Sequence, residues 1–239
     1  MYLPAPFEES RTEVLHDLMR QHPLATVITQ RPVANGATAW PELEANLVPF
    51  ALAATDADAG TAATAPLGTL QAHVARNNPW VQDLEQAMAQ DARGLPCLLV
   101  FQGPQHYISP SWYASKAAGG RVVPTWNYAT VHAWGRARLV NDADWLMAQL
   151  STLTHAQERH QAHPWAVADA PADYLSGMLR AIVGVEVCVE RLQGKWKVSQ
   201  NRPVADRHTV HQGLLAQVSP HIHPAQAMAN LVAQHLPSA

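Results

Sequence analysis

Residues Trp126–Val140 read WNYATVHAWGRARLV, and this run determines which class of fold the chain can adopt. Small or branched apolar residues recur at every second position, at Val131, Ala133, Gly135 and Ala137. A period of two is typical of a strand that buries one face and leaves the other polar. The run therefore predicts one long β-strand.

Shorter runs of the same kind lie on both sides of it. Apolar and β-branched residues between turn signals predict strands at Leu24–Thr29, Ala45–Thr55, Leu67–Ala75, Leu95–Phe101, His106–Ile108, Ile182–Leu192 and Lys195–Val198. Turns are predicted at Gly103-Pro104 and at Gly194. Because proline donates no ladder hydrogen bond, Pro49 predicts that its strand lies at an edge, bulges, or breaks beside a ligand.

Helices are predicted around these strands. Helical periodicity and capping residues place them at Ser10–Gln21, from Pro79 onward, at Asp142–Leu153, at Pro171–Arg180 and in a histidine-rich tail, Ala205–Leu236. Six or more strands with peripheral helices predict a closed antiparallel barrel, an α+β and mainly β fold. One domain is predicted over residues 1–215, and a C-terminal helical tail over residues 216–239, packed on or extending that domain.

Composition limits the function. Of 239 residues, 48% are apolar and 15% charged, which excludes a disordered chain, and the net charge of −3 argues against tight direct binding to DNA. The first residues lack the features of a signal peptide, and no apolar run is long enough to cross a bilayer, so a soluble cytoplasmic protein without a membrane partner is expected. Cys97 and Cys188 lie in apolar runs and are predicted to be buried thiols.

The segment from Gly68 to Trp80 is the first candidate site. It runs from a strand directly into a helix, whose first backbone N–H groups attract anions. Arg76 adds a guanidinium that matches phosphate oxygens, and His73 and Asn77 add further donors. Two interpretations remain open, a phosphate cradle and an ordinary capped helix, and the second is the commoner outcome at such junctions.

Two further segments carry unusual side chains. Residues 107–113 and 123–128 together hold five aromatic residues, which suits a wall for a planar ligand, a subunit interface, or a plug at the end of a barrel. Lys195–Arg202 combines cations with hydrogen-bonding side chains, and without context it fits an ordinary solvated strand end. The histidines lack metal-ligand spacing, and no acid, base or nucleophile stands out as catalytic, so neither a metal site nor a catalytic residue is predicted.

Strings in these segments resemble a known family. MYLPAPFEE, ANLVPF, HVARNNPW, FQGPQHYISPSWY, VPTWNY, IVGVEV and KWKVSQNR occur in one order from residue 1 to about residue 215. They are similar to the PaiB-type, FMN-binding negative transcriptional regulator family. The resemblance implies a flavin-reductase-like split β-barrel with peripheral helices, in a homodimer that binds FMN at the subunit interface.

The resemblance also implies which residues contact FMN. His73, Val74, Ala75, Arg76 and Asn77 become the expected phosphate site. The remaining expected contacts are Asn46, Leu47, Val48 and Pro49 beside the flavin, Thr125, Trp126 and Asn127 near the ring or ribityl chain, and Lys197, Ser199, Gln200 and Asn201, which could come from the partner subunit.

Three functions stay open from the sequence. The first is an FMN-binding, PaiB-like regulator that acts through a protein partner or redox sensing, because direct DNA contact lacks support from the charge. The second is a flavin-dependent oxidoreductase of the pyridoxamine-oxidase or flavin-reductase type, in which the flavin carries the electrons. The third is a barrel that binds haem or another tetrapyrrole through one of the histidines.

Overall fold

A computed structural model of the protein describes residues 1–31, 42–53, 67–217 and 223–237. Eight strands lie in these residues: β1 Glu8–Glu9, β2 Leu24–Gln30, β3 Leu43–Pro49, β4 Ala51–Leu52, β5 Thr69–Ala75, β6 Leu95–Ile108, β7 Thr125–Val140 and β8 Ile182–Lys197. Six α-helices accompany them in the same residues: α1 Thr12–Gln21, α2 Pro79–Gln90, α3 Ala143–Glu158, α4 Ala172–Ala181, α5 Val204–Ala216 and α6 His223–Ala233. The fold is therefore α+β and mainly β, as predicted.

The chain divides into two compact units. The first unit comprises Met1–Leu18, Gln102–Val131 and Gln193–Ala239, and the second comprises Met19–Phe101 and His132–Leu192. The three long strands β6, β7 and β8 each contribute residues to both units.

The sheet of the second unit is closed. Its strands follow the order β3-β2-β6-β7-β8-β5-β4, so β3 and β4 lie at opposite ends of the path. A single residue, Phe50, separates β3 from β4 in the chain, and its side chain is buried. The two ends of the path must therefore meet, which makes a barrel. Pro49 ends β3 at this corner, where the edge strand needs no further ladder donor.

Alternation along the strands builds the core of the second unit. β5 buries Leu70, Ala72 and Val74, and its other side chains are half-buried or exposed. The long strand β7 buries Ala133, Gly135 and Ala137 in this unit and Val131 at the end of the first unit, and together these are the set that its sequence predicted. The remaining buried residues of this core include Val27, Val48, Leu99, Phe101, Val185 and Val187.

The first unit combines the far ends of the long strands with the C-terminal helices. β1 pairs with β8, with Glu8 opposite Lys195 and Glu9 opposite Gly194. Its core includes buried side chains from β6, β7, β8 and both tail helices: Ile108, Ala129, Trp196, Val198, Val210, Leu214, Met228 and Val232.

Two predicted turns are wrong. Gly103-Pro104 lies inside the continuous strand β6, and Gly194 lies inside the continuous strand β8. A Cβ at Gly103 would meet Leu18 Cδ1 at 2.8 Å, and one at Gly194 would meet Leu15 Cδ2 at 2.2 Å. Both glycines are needed because α1 packs against the strands at these positions, and not because the chain reverses there.

The prediction for the cysteines is half wrong. Cys97 is buried, but Cys188 is exposed. On β8 the buried face is formed by Val185, Val187 and Val189, so Cys188 lies on the opposite, outward face.

Candidate functional site

The sixteen residues expected to contact a cofactor fall into two sets. Asn46–Pro49 and His73–Asn77 belong to the second unit, and Thr125–Asn127 and Lys197–Asn201 belong to the first. Each set is described below within its own unit.

The N-terminus of α2 is a fully capped helix end. Pro79 has no N–H, the Trp80 N–H donates to Asn78 Oδ1 at 3.0 Å, and the Val81 N–H donates to the Asn78 carbonyl at 2.9 Å. The first-turn N–H groups that a phosphate cradle requires are thus used by the cap. The ordinary capped helix is the arrangement that the structure shows, and any phosphate binding here depends on the side chains.

Arg76 follows β5 and is held by neutral acceptors. Its Nε donates to the Arg180 carbonyl at 3.0 Å and its Nη2 donates to Asn141 Oδ1 at 2.6 Å. Neither partner carries a negative charge, so these contacts fix the guanidinium without neutralising it. Next to it, Val74 is a core residue, whereas Ala75 and Asn77 are exposed.

His73 is tied to helix α3. Its Nδ1 lies 2.9 Å from Oε1 of Gln149, a side chain that is buried. Gln149 Nε2 is also buried and lacks a hydrogen-bond partner among the described residues. This glutamine was not predicted, because no short motif in the sequence connects it to His73, 76 positions away.

The run Asn46–Pro49 alternates across the edge strand β3. Val48 is buried, whereas Leu47 is 69% exposed on the other face. Asn46 Nδ2 is buried and, within the described residues, has no hydrogen-bond partner. An unpaired buried amide is costly, so Asn46 is the member of this run that is suited to donate to a ligand.

The first unit brings the other two segments together. β7 and β8 are neighbours, and Asn127, which is fully buried, donates from Nδ2 to Ser199 Oγ at 2.9 Å. Lys197 Nζ donates to Thr125 Oγ1. All four residues belong to one chain, so their contacts form without a partner subunit.

A tight turn follows these contacts. Ser199 has φ +69°, a left-handed conformation that is rare outside glycine. Gln200 stabilises it, since its Oε1 accepts from the Val198 N–H at 2.8 Å and its Nε2 donates to the Trp196 carbonyl. The Arg202 N–H donates to the Ser199 carbonyl at 2.9 Å, and Asn201 is exposed. Strained backbone that is held this firmly is often found at functional sites.

Three cations converge beside this turn, and they are called the basic cluster below: Lys195, Lys197 and Arg202. Lys195 is only 7% exposed, and its Nζ donates to the Tyr2 carbonyl at 2.9 Å and lies 5.5 Å from the rings of Tyr2 and Tyr128. Within the described part of the chain, no Asp or Glu forms an ion pair with any member of the cluster.

The cluster also alters the chemistry of Lys197. Burial lowers the pKa of the Lys197 ammonium, and the positive charges of Lys195 and Arg202 lower it further, against an opposing effect of Tyr128. Like charges that are partly removed from water and lack counter-charges are unfavourable. A bound anion would relieve this cost.

Several aromatic side chains lie in the same unit as the basic cluster. Trp126 is 53% exposed and Tyr107 is 43% exposed, with ring centroids 6.1 Å apart in an edge-to-face arrangement. Tyr113 is buried instead, and the Arg202 guanidinium carbon lies 4.7 Å from its ring centroid. The predicted aromatic segments therefore supply both a packed residue, Tyr113, and an exposed flat surface, Trp126.

These residues fit a phosphorylated planar cofactor. The basic cluster suits a phosphate dianion, and an exposed indole suits an aromatic ring system. Among the neighbouring polar groups, the half-buried Thr125 hydroxyl suits a polyhydroxy chain, because Asn127 and Ser199 are buried and the Gln200 amide is used within the turn. In the described residues, no group of three or more His, Cys, Asp or Glu side chains is placed to hold a metal ion.

Comparison with known proteins gives the family. A family model described as "Putative FMN-binding domain" matches residues 1–191. The chain belongs to this family. An uncharacterised protein of Emericella nidulans is 34% identical over 232 residues, which cover 89% of this chain and 90% of that protein. Protease synthase and sporulation protein PAI 2 of Bacillus subtilis is 29% identical over 99% of this chain and 98% of its own length.

Solved structures support the fold of this FMN-binding domain protein, a split β-barrel. Conserved hypothetical protein Rv2991 of Mycobacterium tuberculosis superposes with a TM-score of 0.51 at 13% identity, covering 85% of this chain and 94% of that one. A protein of Bacteroides thetaiotaomicron described as a "putative 5-nitroimidazole antibiotic resistance protein" superposes with a TM-score of 0.50 at 10% identity, covering 79% and 85%.

The family match and the basic cluster cover different residues. The matched range ends at residue 191, whereas Lys195, Lys197 and Arg202 follow it. In the described ranges, no helix has the length and apolarity to span a bilayer.

Proposed function

We propose that the protein is an FMN-binding flavoprotein that takes part in redox-linked regulation, as a PaiB-like protein. The observation that supports FMN most directly is the basic cluster, a group of buried and half-buried cations that form no ion pair with a carboxylate in the described residues. The match to the FMN-binding domain family supports the same cofactor. The regulatory role rests on the resemblance to PAI 2.

In this proposal Lys197 and Arg202 bind the phosphate and Trp126 contacts the ring system. Bound FMN supplies one- or two-electron chemistry. Thr125 positions Lys197 through the hydrogen bond to its ammonium, and the pair Asn127–Ser199 holds the strained turn that carries Arg202. The alternative phosphate ligand is Arg76 of the second unit, whose partners are neutral, and in that alternative Asn46 of the same unit is the proposed amide donor.

FMN and riboflavin differ by the phosphate, and this difference tests the assignment. FMN should bind to purified, flavin-free protein, and Lys197→Gln should weaken its binding by about 10- to 150-fold, the equivalent of one hydrogen bond to a charged group. Riboflavin affinity should not change in the same variant. Arg76→Gln tests the alternative ligand, and Arg93→Gln is the control, because Arg93 is exposed and paired with Asp91.

Fluorescence titration of each flavin gives the outcome. If Arg76→Gln weakens FMN and Lys197→Gln does not, the phosphate site lies at Arg76. If FMN does not bind at all, or if the two flavins bind equally well to the native protein, the proposed cofactor is wrong. A sharp Soret band in protein as purified would instead indicate haem.

We also propose that the protein is a homodimer with FMN at the subunit interface. Exposed or half-buried aliphatic residues form one continuous face of β2, β3 and β6: Leu24, Ile28, Leu43, Ala45, Leu47, Pro49, Leu98 and Val100. This face, called the aliphatic face below, carries no charged residue. Uncharged apolar sheet faces of this kind are typical of subunit contacts.

The aliphatic face includes two residues of the expected cofactor set. Leu47 and Pro49 lie on it, because they alternate with the inward-facing Asn46 and Val48. A second copy that packs here would therefore lie beside residues expected to line the flavin. This continuity favours a second copy of the chain as the occupant of the face.

A further inference from the structure

Charge is distributed unevenly between the two units. The whole chain has a formal charge of −3. The second unit contains nine Lys and Arg residues against fourteen Asp and Glu, whereas the first unit contains seven against five. All three lysines of the chain, Lys116, Lys195 and Lys197, belong to the first unit. The overall negative charge therefore conceals a unit that is positive.

The excess is concentrated in two segments of the first unit. Four of its five acidic residues lie within residues 8–17, so residues 102–131 and 193–239 contain a single one, Asp206. Asp206 is buried, and it accepts hydrogen bonds from the backbone N–H and the hydroxyl of Ser115. The same segments contain six cations: Lys116, Arg121, Lys195, Lys197, Arg202 and Arg207.

Lys116 and Arg121 lie outside the proposed cofactor contacts. Both are exposed, and they flank Gly119 and Gly120, at which an added Cβ would meet no atom within 4 Å. Lys116 Nζ donates to Ser111 Oγ at 3.4 Å, a neutral acceptor. In the described residues, neither side chain forms an ion pair with a carboxylate.

We propose that Lys116 and Arg121, together with the basic cluster, recruit an anionic electron acceptor, an organic molecule that carries a carboxylate, phosphate or sulfonate group and is reduced as the reduced flavin is oxidised. This rests on the proposed FMN function. Asp206 and a phosphate dianion together offset three of the six positive charges, so residues 102–131 and 193–239 stay positive when FMN is bound. A region of one sign concentrates ligands of the opposite sign and speeds their association.

Duplex DNA fits this surface less well than a small anion. Binding to a duplex depends on accessible cations that neutralise several backbone phosphates at once. Lys195 is almost completely buried, and Arg207 donates to the His235 carbonyl within the helical tail. The few exposed cations suit a ligand of one or two charges.

Electron acceptors of opposite charge test the proposal in the FMN-loaded protein. Reduced FMN gives up two electrons to two equivalents of a one-electron acceptor and releases its protons to solvent. Ferricyanide, a trianion, should react about 10-fold or more slowly when the ionic strength is raised from low to physiological, because salt screens the attraction. Hexaammineruthenium(III), a trication, should react faster as salt is added.

Two double variants test whether Lys116 and Arg121 cause the salt dependence of the reaction with ferricyanide. The double variant Lys116→Gln/Arg121→Gln should keep its FMN content and lose much of the salt dependence with ferricyanide. In the control Arg93→Gln/Arg180→Gln, two arginines of the second unit are removed for the same change in net charge, and the salt dependence should persist. Equal salt dependence in both double variants would overturn the proposal.

A second measurement needs no flavin. Iodide and caesium quench tryptophan fluorescence and carry opposite charges, and the Trp126 component is obtained by subtracting the signal of Trp126→Phe. Relative to the same ratio for free N-acetyltryptophanamide, the ratio of iodide to caesium quenching should be several-fold higher for this component, and the Lys116→Gln/Arg121→Gln variant should reduce it. A ratio equal to that of the free indole would refute the positive surface, whereas absent flavin with a raised ratio would refute only the FMN function.

Discussion

Lys197 is the residue of the candidate site whose protonation depends on both burial and neighbouring charges. Its ammonium donates to Thr125 Oγ1, is partly buried, and has two other cations nearby. Burial disfavours the protonated form most and the two cations add to this effect, so the pKa of Lys197 lies below its ordinary value of 10.5. A phosphate dianion would favour the protonated form and raise the pKa again.

The affinity for FMN should therefore depend on pH in one direction. Below the lowered pKa of Lys197 the ammonium is charged and binding is strongest, and the affinity should fall as the pH rises through that pKa, before 10.5 is reached. Lys197→Arg should bind FMN with little change over this range, because a guanidinium stays protonated. Calorimetric titration of FMN between pH 7 and 10.5, with riboflavin as the control for ring ionisation, measures this.

Single residues also show where prediction from sequence ends. The segments of Thr125–Asn127 and Lys197–Asn201 were expected at one site, and the structure joins them through Asn127–Ser199 and Thr125–Lys197. The partners of Arg76 and His73, which are Asn141, Arg180 and Gln149, were not foreseen. A residue's own sequence neighbours show its chemical type, but its contacts come from elements that are distant in the chain.

At the level of elements, the periodicity of the sequence predicted correctly that a strand or helix exists but often predicted its length wrongly. The period of two in Trp126–Val140 correctly indicated β7, and Asn78 caps α2 as predicted. Ala45–Thr55 was predicted as one strand, and the structure has β3 and β4 separated by the corner at Phe50, with Thr55 outside the described residues. The sequence does not distinguish a glycine at which the chain reverses from a glycine within a strand that leaves room for a neighbouring side chain.

Gly135 and Gly177 form a matched test of that distinction. A Cβ at Gly135 in β7 would meet the Cys188 carbonyl oxygen at 2.2 Å, whereas at Gly177 in α4 the nearest atom is Arg180 Nη2 at 4.0 Å. Gly135→Ala should lower the free energy of unfolding by about 1–3 kcal/mol through overpacking of backbone against backbone. Gly177→Ala should raise it by about 0.5–1 kcal/mol, because alanine favours the helix.

Urea denaturation followed by circular dichroism measures both variants on the same scale. Opposite signs would establish that β7 and β8 approach each other too closely for a side chain at residue 135. Destabilisation by both alanines would show that the gap at Gly177 is not open in solution.

At the scale of the whole molecule, the two units differ in what they offer to other molecules. The first unit is positive and carries the exposed Trp126, and the second unit is negative and carries the aliphatic face. A regulatory flavoprotein needs a ligand site and a surface for a partner. The aliphatic face is suited to a copy of the chain, because an uncharged surface can pack against itself in a two-fold arrangement without like-charge repulsion.

The substitution Leu47→Glu tests this assembly on the aliphatic face. Leu47 is 69% exposed and lies opposite Thr26 on β2, so a carboxylate at this position would cost little stability in the single chain. In a two-fold dimer the same carboxylate would be buried and would be repelled by the carboxylate of the second copy. The native protein should sediment at about twice the chain mass of 26.1 kDa, and the variant at the mass of one chain. Met178→Glu, on the exposed side of α4, is the control and should leave the native mass unchanged.

If FMN lies at the subunit contact, the Leu47→Glu variant should lose bound flavin together with its partner subunit. A native protein that sediments as one chain with a full complement of FMN would instead show that the site is complete within a single copy.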